Sequence, residues 1–280
     1  MSQLLRGVVG ALGLSLILTQ SGWATVVTSS TFSGNVGVEV AAYPCAGSPC
    51  AGTLTLSTLP AGATILDATL YGNNYFASPS VSATFAGTPL GAVTPFDTHL
   101  GFSTYQWDVT GLITGNASYG ASFAGATNTY GLALVVAFSD PSLPLGTVFV
   151  NDGAFDINGG AGGSFSTTFS GAGAGSGTLW IHTGADNNGF GQTGEQILFN
   201  GGVVGSPIDA NLGSFASLFQ LPVTVLGGTD TAQINAASDQ LGWDLAVLHA
   251  GPTQVRVPLP GTLLLLGGGL LALGMARRRG

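Results

Sequence analysis

Period-two alternation of apolar and polar residues runs through the middle of this chain. Leu54 and Leu56 alternate with threonines, and Val81, Ala83 and Phe85 alternate with small polar residues. Tyr119, Ala121 and Phe123 repeat the pattern. Successive side chains of a strand point to opposite faces, so each segment predicts a strand with one buried face. Residues 132–138 form a continuous apolar run instead, which predicts a central strand covered on both faces. Residues 147–150, 178–182, 196–199 and 243–248 read as further strands. Turn signals separate them: Gly72-Asn73-Asn74, Ser139-Asp140-Pro141, Asn151-Asp152-Gly153, Asn187-Asn188-Gly189 and Asn200-Gly201-Gly202. A short helical link is expected over 107–113, capped by Asp108 or Thr110. Many short strands at this spacing predict an all-β fold, an antiparallel β-sandwich of jelly-roll type, over residues 25–255. The Gly/Ala-rich stretches 159–163 and 171–177 flank Phe165 and Phe169 and read as a flexible insertion around one hairpin.

The two ends break the alternation. Residues 1–24 read as a signal peptide: Arg6 supplies the positive start, residues 7–19 the short apolar helix, and Gly22-Trp23-Ala24 the small residues before a cut at Thr25. Residues 256–280 hold a proline pair, an uncharged stretch and a basic end. The uncharged span 257–276 is about 30 Å long as a helix, enough to cross a bilayer. Pro258 and Pro260 stand at its outer edge, where proline starts a helix without breaking it. Positive charge is retained in the cytoplasm, so Arg277, Arg278 and Arg279 place the middle domain outside.

The motif Val257-Pro258-Leu259-Pro260, the apolar helix and the three arginines together resemble the PEP-CTERM sorting signal. Leu259 stands where the family name implies Glu. The resemblance covers under a tenth of the chain. It implies a Gram-negative bacterium, signal peptidase and an exosortase as processing partners, and passage through the inner membrane to the cell surface or extracellular matrix, with exopolysaccharide and biofilm as context. A plain C-terminal membrane anchor is the alternative. A second resemblance rests on Asp108-Val109-Thr110 before Gly115-Asn116, the run 131–136 and Asn151-Asp152-Gly153. Over 65–156 the chain looks like a family of prokaryotic surface sandwiches, a resemblance that implies a fold and an adhesin-like context rather than a reaction.

Charge narrows the field further. The five cationic side chains are Arg6, Arg256, Arg277, Arg278 and Arg279; there is no lysine, and all thirteen acidic residues lie between Glu39 and Asp244. Such a surface repels phosphate backbones, which argues against nucleic acid as a partner. A hydrophobic share of 45% separates the chain from disordered acidic segments.

Candidate chemistry is sparse. Cys45 and Cys50 close a small loop and outside the cytoplasm read as a structural disulfide; their four-residue spacing differs from that of redox pairs. His99, His182 and His249 show no metal-ligand spacing, and no nucleophile elbow is present. Asp186, Asn188 and Glu195 are the candidate ligands for Ca²⁺, which takes six to eight oxygens, and Asn151-Asp152-Gly153 with Asp156 is a second candidate; Asn187-Asn188-Gly189 also reads as a tight turn. Tyr71, Tyr75, Phe76, Tyr105 and Trp107 are either sugar-stacking aromatics or core. The leading expectation is a non-enzymatic structural or adhesive surface protein. A carbohydrate- or Ca-binding module is the first alternative. A secreted hydrolase using paired carboxylates is the second.

Overall fold

The alternating segments lie on strands, with the expected faces buried. Leu54 and Leu56 point inward, as do Val81, Ala83 and Phe85, and Tyr119, Ala121 and Phe123. The run 132–138 is buried throughout and lies between two other strands. The structure is a computed structural model and describes residues 26–45, 47–75, 80–158, 163–185, 195–206, 208, 211–213, 215–236 and 240–251. The signal and membrane helices expected in 1–24 and 256–280 lie outside these residues. No helix among the described residues is long and apolar enough to cross a membrane.

Eighteen strands are formed by the described residues. First comes β1 (Val27–Gly34). Then follow β2 (Val36–Pro44), β3 (Cys50–Leu56), β4 (Thr64–Tyr75), β5 (Val81–Phe85), β6 (Thr88–Val93), β7 (Asp97–His99), β8 (Phe102–Asp108), β9 (Ala117–Ala124) and β10 (Thr129–Ser139). The remainder are β11 (Gly146–Asn158), β12 (Ser164–Ala172), β13 (Gly175–Gly184), β14 (Gln196–Phe199), β15 (Gly202–Gly205), β16 (Ser217–Val225), β17 (Gly228–Asn235) and β18 (Gln240–Ala250). They pair antiparallel.

Four sheets result: β3-β9-β5-β6, β2-β10-β4-β8-β7, β1-β11-β18-β13-β16 and β12-β17-β14-β15. With β1 and β7 set aside, the second half repeats the order of the first. The sequence β2-β10-β4-β8 matches β11-β18-β13-β16, and β3-β9-β5-β6 matches β12-β17-β14-β15. Each half is thus a jelly roll of two four-stranded sheets, and the expected sandwich occurs twice in tandem.

Burial fixes how the sheets stack. Leu54, Phe85 and Phe123 pack with Leu70, Leu132 and Leu134 inside the first roll. Ile157, Ile181 and Trp243 pack with Phe169, Ile197 and Ile234 inside the second. The opposite faces of the two five-stranded sheets meet each other, Val38, Ala133 and Val135 against Val150, Trp180 and Val247. The molecule therefore has four β-layers, and β10 is covered on both faces, as its unbroken apolar run requires.

Three local expectations change. Gly72-Asn73-Asn74 lies inside β4 and Asn151-Asp152-Gly153 inside β11. Both strands are bracketed by partners on either side, so ladder hydrogen bonds override the turn preference of Asn and Gly. Residues 164–172 are an integral strand of the outer sheet rather than an insertion, and Phe169 is fully buried. The expected link after β8 is present but shorter than 107–113 and not side-chain capped: a single 3-10 turn, Thr110–Leu112, begins with Val109 at its N-cap, while Asp108 closes β8 and its Oδ1 accepts from the Thr110 amide at 2.9 Å.

Candidate functional site

The contact between the two rolls changes character along its length. One part is apolar, as above. The other holds a set of buried polar side chains, and it is built by strand periodicity. On β4, Tyr71, Asn73 and Tyr75 share the face turned to the second roll; on β11, Asp152, Ala154 and Asp156 face back.

Asp244 reaches this seam through a bulge. His182 opposes Leu245 but Thr183 opposes Trp243, so Asp244 is the extra residue of β18. Bulges re-aim a side chain in this way. Its carboxylate accepts from Asn73 Nδ2 at 2.8 Å and from His182 Nδ1, 2.8 Å from Oδ1 and 3.0 Å from Oδ2. Nδ1 is thus the ring nitrogen turned to the carboxylate, and it donates in this pair. All three residues are fully buried. The far edge of the ring lies against Gly131 of β10, where an added Cβ would stand 3.1 Å from Nε2; glycine leaves the imidazole its room. Gly242 makes a similar allowance for the buried ring of Phe102, which would stand 2.2 Å from a Cβ there.

Further hydrogen bonds cross the seam. Tyr71 Oη donates to Asp152 Oδ2 at 2.7 Å, and Tyr75 Oη donates to Asp156 Oδ2 at 2.7 Å. The Ala154 amide donates to Asp97 Oδ2 at 2.7 Å, and the Asp156 amide donates to His99 Nδ1 at 3.0 Å. In every case one partner comes from the second roll and the other from the first roll's five-stranded sheet, Asp97 and His99 from its extra strand β7. The His99 ring also stacks on Phe155 of β11, with centroids 4.3 Å apart.

The electrostatics follow from the missing cations. With no Lys or Arg between residues 25 and 255, the partners of carboxylates here are amides, hydroxyls and, for Asp244, an imidazole. Glu39 takes the Ser57 and Thr58 amides at 2.7 and 3.0 Å, and Asp230 takes the Leu226 amide at 2.8 Å. Burial pushes the Asp152 carboxyl above its ordinary range; hydrogen bonds from Tyr71 and Ser29 oppose this, and the charges of Asp244 and Asp97 add to it. Burial and the Asp152 charge hold the Tyr71 phenol well above its usual value. His249 lies apart, beside Gly146, and burial pushes its imidazole down.

A raised carboxyl pKa has a definite sign. The Asp152 contribution to stability is fully present below the unfolded value near 3.8 and is lost as pH rises through the higher folded value. Ionised Asp152 is therefore a cost at neutral pH. Asp152→Asn keeps an acceptor for Tyr71 and turns an amide toward the neighbouring carboxylates. It is expected to leave the melting temperature at pH 7 unchanged or higher and to flatten its pH dependence above pH 3.8. Thermal melts from pH 4 to 7 check this; a clear loss at pH 7 would contradict it.

The residues singled out by sequence are placed as follows. Cys45 and Cys50 form a disulfide, with Cα atoms 5.3 Å apart. Glu195 is fully buried just before β14, while Asp186 and Asn188 lie outside the described residues. No group of three His, Cys, Asp or Glu among the described residues is arranged to hold a metal. Val257, Pro258, Leu259, Pro260, Arg277, Arg278 and Arg279 also lie outside them. Tyr71, Tyr75, Tyr105 and Trp107 are buried at 8% exposure or less, so they offer no sugar-stacking platform; Phe76 lies outside the described residues. An open groove of about 450 Å³ between β15 and β16, lined by Phe199, Val204, Pro222 and Leu226 among others, carries no titratable side chain. Of the seam residues, Asp152 and Asp156 belong to the second Ca²⁺ candidate, and their carboxylates are instead taken by Tyr71 and Tyr75; Asn73 and Asp244 were not singled out for chemistry from sequence. The spacings Tyr71-x-Asn73-x-Tyr75 and Asp152-x-Ala154-x-Asp156 are the signal that marks the seam, a polar face at strand period.

Among solved structures, the chain is similar to a β-porphyranase of glycoside hydrolase family 86 from Bacteroides plebeius. The identity is 14% and the TM-score 0.29, over 74% of this chain and 33% of that one, so this chain spans about a third of the enzyme's length. A conserved protein of unknown function from Pseudomonas aeruginosa shows 9% identity and a TM-score of 0.32, over 76% of this chain and 98% of that one. The major capsid protein P2 of bacteriophage PM2 shows 11% identity and a TM-score of 0.24, over 78% and 99%. These likenesses carry no functional argument. No curated relative matches the chain. Residues 20–248, which span both rolls and the seam, match the family described as protein of unknown function DUF3344, and the chain belongs to that family.

Proposed function

We propose that this protein is exported and sorted by an exosortase to the cell surface or extracellular matrix of a Gram-negative bacterium. There it serves as a non-enzymatic structural or adhesive element in an exopolysaccharide or biofilm setting. The observation that carries the reading is the tail, where Val257-Pro258-Leu259-Pro260, an uncharged span of membrane length and Arg277-Arg278-Arg279 follow one another. The Cys45–Cys50 disulfide supports an oxidising compartment. The engagement of His99, His182, Asp97, Asp152, Asp156 and Asp244 in contacts between the rolls supports a scaffolding role for these groups.

The test is the intact mass of the mature protein from surface, medium and membrane fractions. Loss of residues 1–24, and of the tail after the proline motif, is the expected result. An intact tail in the membrane fraction would make the chain an ordinary anchored domain and overturn the sorting reading.

A further inference from the structure

Both rolls are complete without β1. The first uses β2–β6 and β8–β10, the second β11–β18, and β1 is a further strand laid on the outer edge of β11. It comes from ahead of the first roll yet extends a sheet of the second. Among the described residues, the matching edge of the first roll, β2, carries no such strand. A strand added to a finished sheet is held chiefly by its ladder.

The side chains of β1 bear this out. Val27, Thr28, Ser29, Thr31 and Ser33 are exposed. Phe32 is half-buried against the apolar contact between the rolls, and Val26, just ahead of β1, is buried in the core of the second roll. The register to β11 is interrupted between Thr28 and Ser30. The link to β2 is Asn35 alone, next to Gly34 at φ +123°. Asn35 is itself pinned: its carbonyl accepts from the Asp140 amide at 3.0 Å, and its Nδ2 donates to the Leu143 carbonyl at 2.5 Å. The pivot is thus fixed while the eight residues beyond it, about 26 Å of extended chain, are held by few side chains. Segments with so few buried apolar contacts open below the global unfolding energy.

An opened β1 leaves the edge of β11 bare, with the backbone groups that pair with residues 27–34 in need of a new strand. The strand that reproduces the register, the fit of Phe32 and the Ser33–Thr147 contact is another β1. Its sequence, VTSSTFSG, has β-branched and aromatic residues and no charge or proline to blunt it as an edge. We infer that β1 is an exchangeable strand through which one copy of this chain completes the second roll of another. Each copy gives one strand and receives one, so exchange closes into a dimer or runs on as a chain of copies. The inference is independent of the sorting tail, since it rests on the fold alone.

Ser33 and Thr147 mark the test, because they are register partners with Oγ and Oγ1 3.3 Å apart at the surface. The full chain is purified in mild detergent as Ser33→Cys, as Thr147→Cys and as the double variant. The double variant sets the linking chemistry: oxidation, or a short bis-maleimide if oxidation does not close the pair within one chain. The two single variants are then mixed, incubated and linked the same way. Exchange is expected to give a reducible or maleimide-bridged dimer whose peptide map joins position 33 of one chain to position 147 of the other. Unlinked chains, or only 33–33 and 147–147 links, would overturn the inference.

Discussion

Asp244→Ala is expected to lower the stability of the folded chain by about 3–5 kcal/mol, the usual cost of breaking a buried pair from one side. The substitution leaves two donors, His182 Nδ1–H and Asn73 Nδ2–H, without their shared acceptor in a seam that water does not reach. Each stranded donor costs about 1–3 kcal/mol in desolvation that is no longer repaid. In a protein of this size that is a fall in melting temperature of roughly 6–20 °C. Asp244→Asn keeps one acceptor oxygen and should cost clearly less. Urea unfolding of both variants, with Asn73→Ala and the Asn73→Ala/Asp244→Ala double variant, closes the cycle. The double variant should lose much less than the sum of the singles, because the donor stranded by one change is removed by the other. A loss below about 1 kcal/mol for Asp244→Ala would mean that the seam does not hold the rolls.

That seam also explains how the fold was legible in the sequence and the site was not. Leu54, Phe85, Phe123 and the 132–138 run mark their strands by period alone, because each buries one or both faces within its own roll. Asn73 and Asp152 carry the opposite local signal. Asn beside Gly, and Asn-Asp-Gly, read as turns in an isolated chain, and only partners on both sides of β4 and β11 make them strand interior. The duplication is hidden for a related reason. The same strand order recurs in the two halves, but the face-forming residues differ: β4 presents Tyr71, Asn73 and Tyr75 where β13 presents Trp180, His182 and Gly184. Two copies of one topology that pack against each other must be complementary, so their contact faces diverge.

The absence of Lys and Arg from residues 25–255 makes that complementarity unusual. A buried carboxylate normally finds a cation or stays neutral. Here Asp244 is met by an imidazole and an amide, Asp152 and Asp156 by phenols, and Asp97 by a backbone amide. Such donors are short and directional, so they fix the register of one roll on the other without the reach of a lysine.

Trp243→Ala should have an effect of the same size, about 3–5 kcal/mol, through the core of the second roll. The indole is fully buried, donates Nε1–H to the Leu245 carbonyl at 3.0 Å and meets Phe165 edge-on at 5.6 Å. Phe165 stacks on Phe155 at 3.7 Å, and Phe155 on His99 of the first roll at 4.3 Å. Truncation therefore opens a cavity at one end of an aromatic series that reaches across the seam. Trp107 is buried in the core of the first roll and can report on that roll's unfolding. Calorimetry and near-ultraviolet circular dichroism should show one transition, shifted as a whole by roughly 6–20 °C. This is expected because the apolar contact and the hydrogen bonds of Asp244, Asp152 and Asp156 join the rolls into one cooperative unit. Two transitions, with the one sensed in the first roll left in place, would mean that the rolls unfold independently and that the seam only orients them.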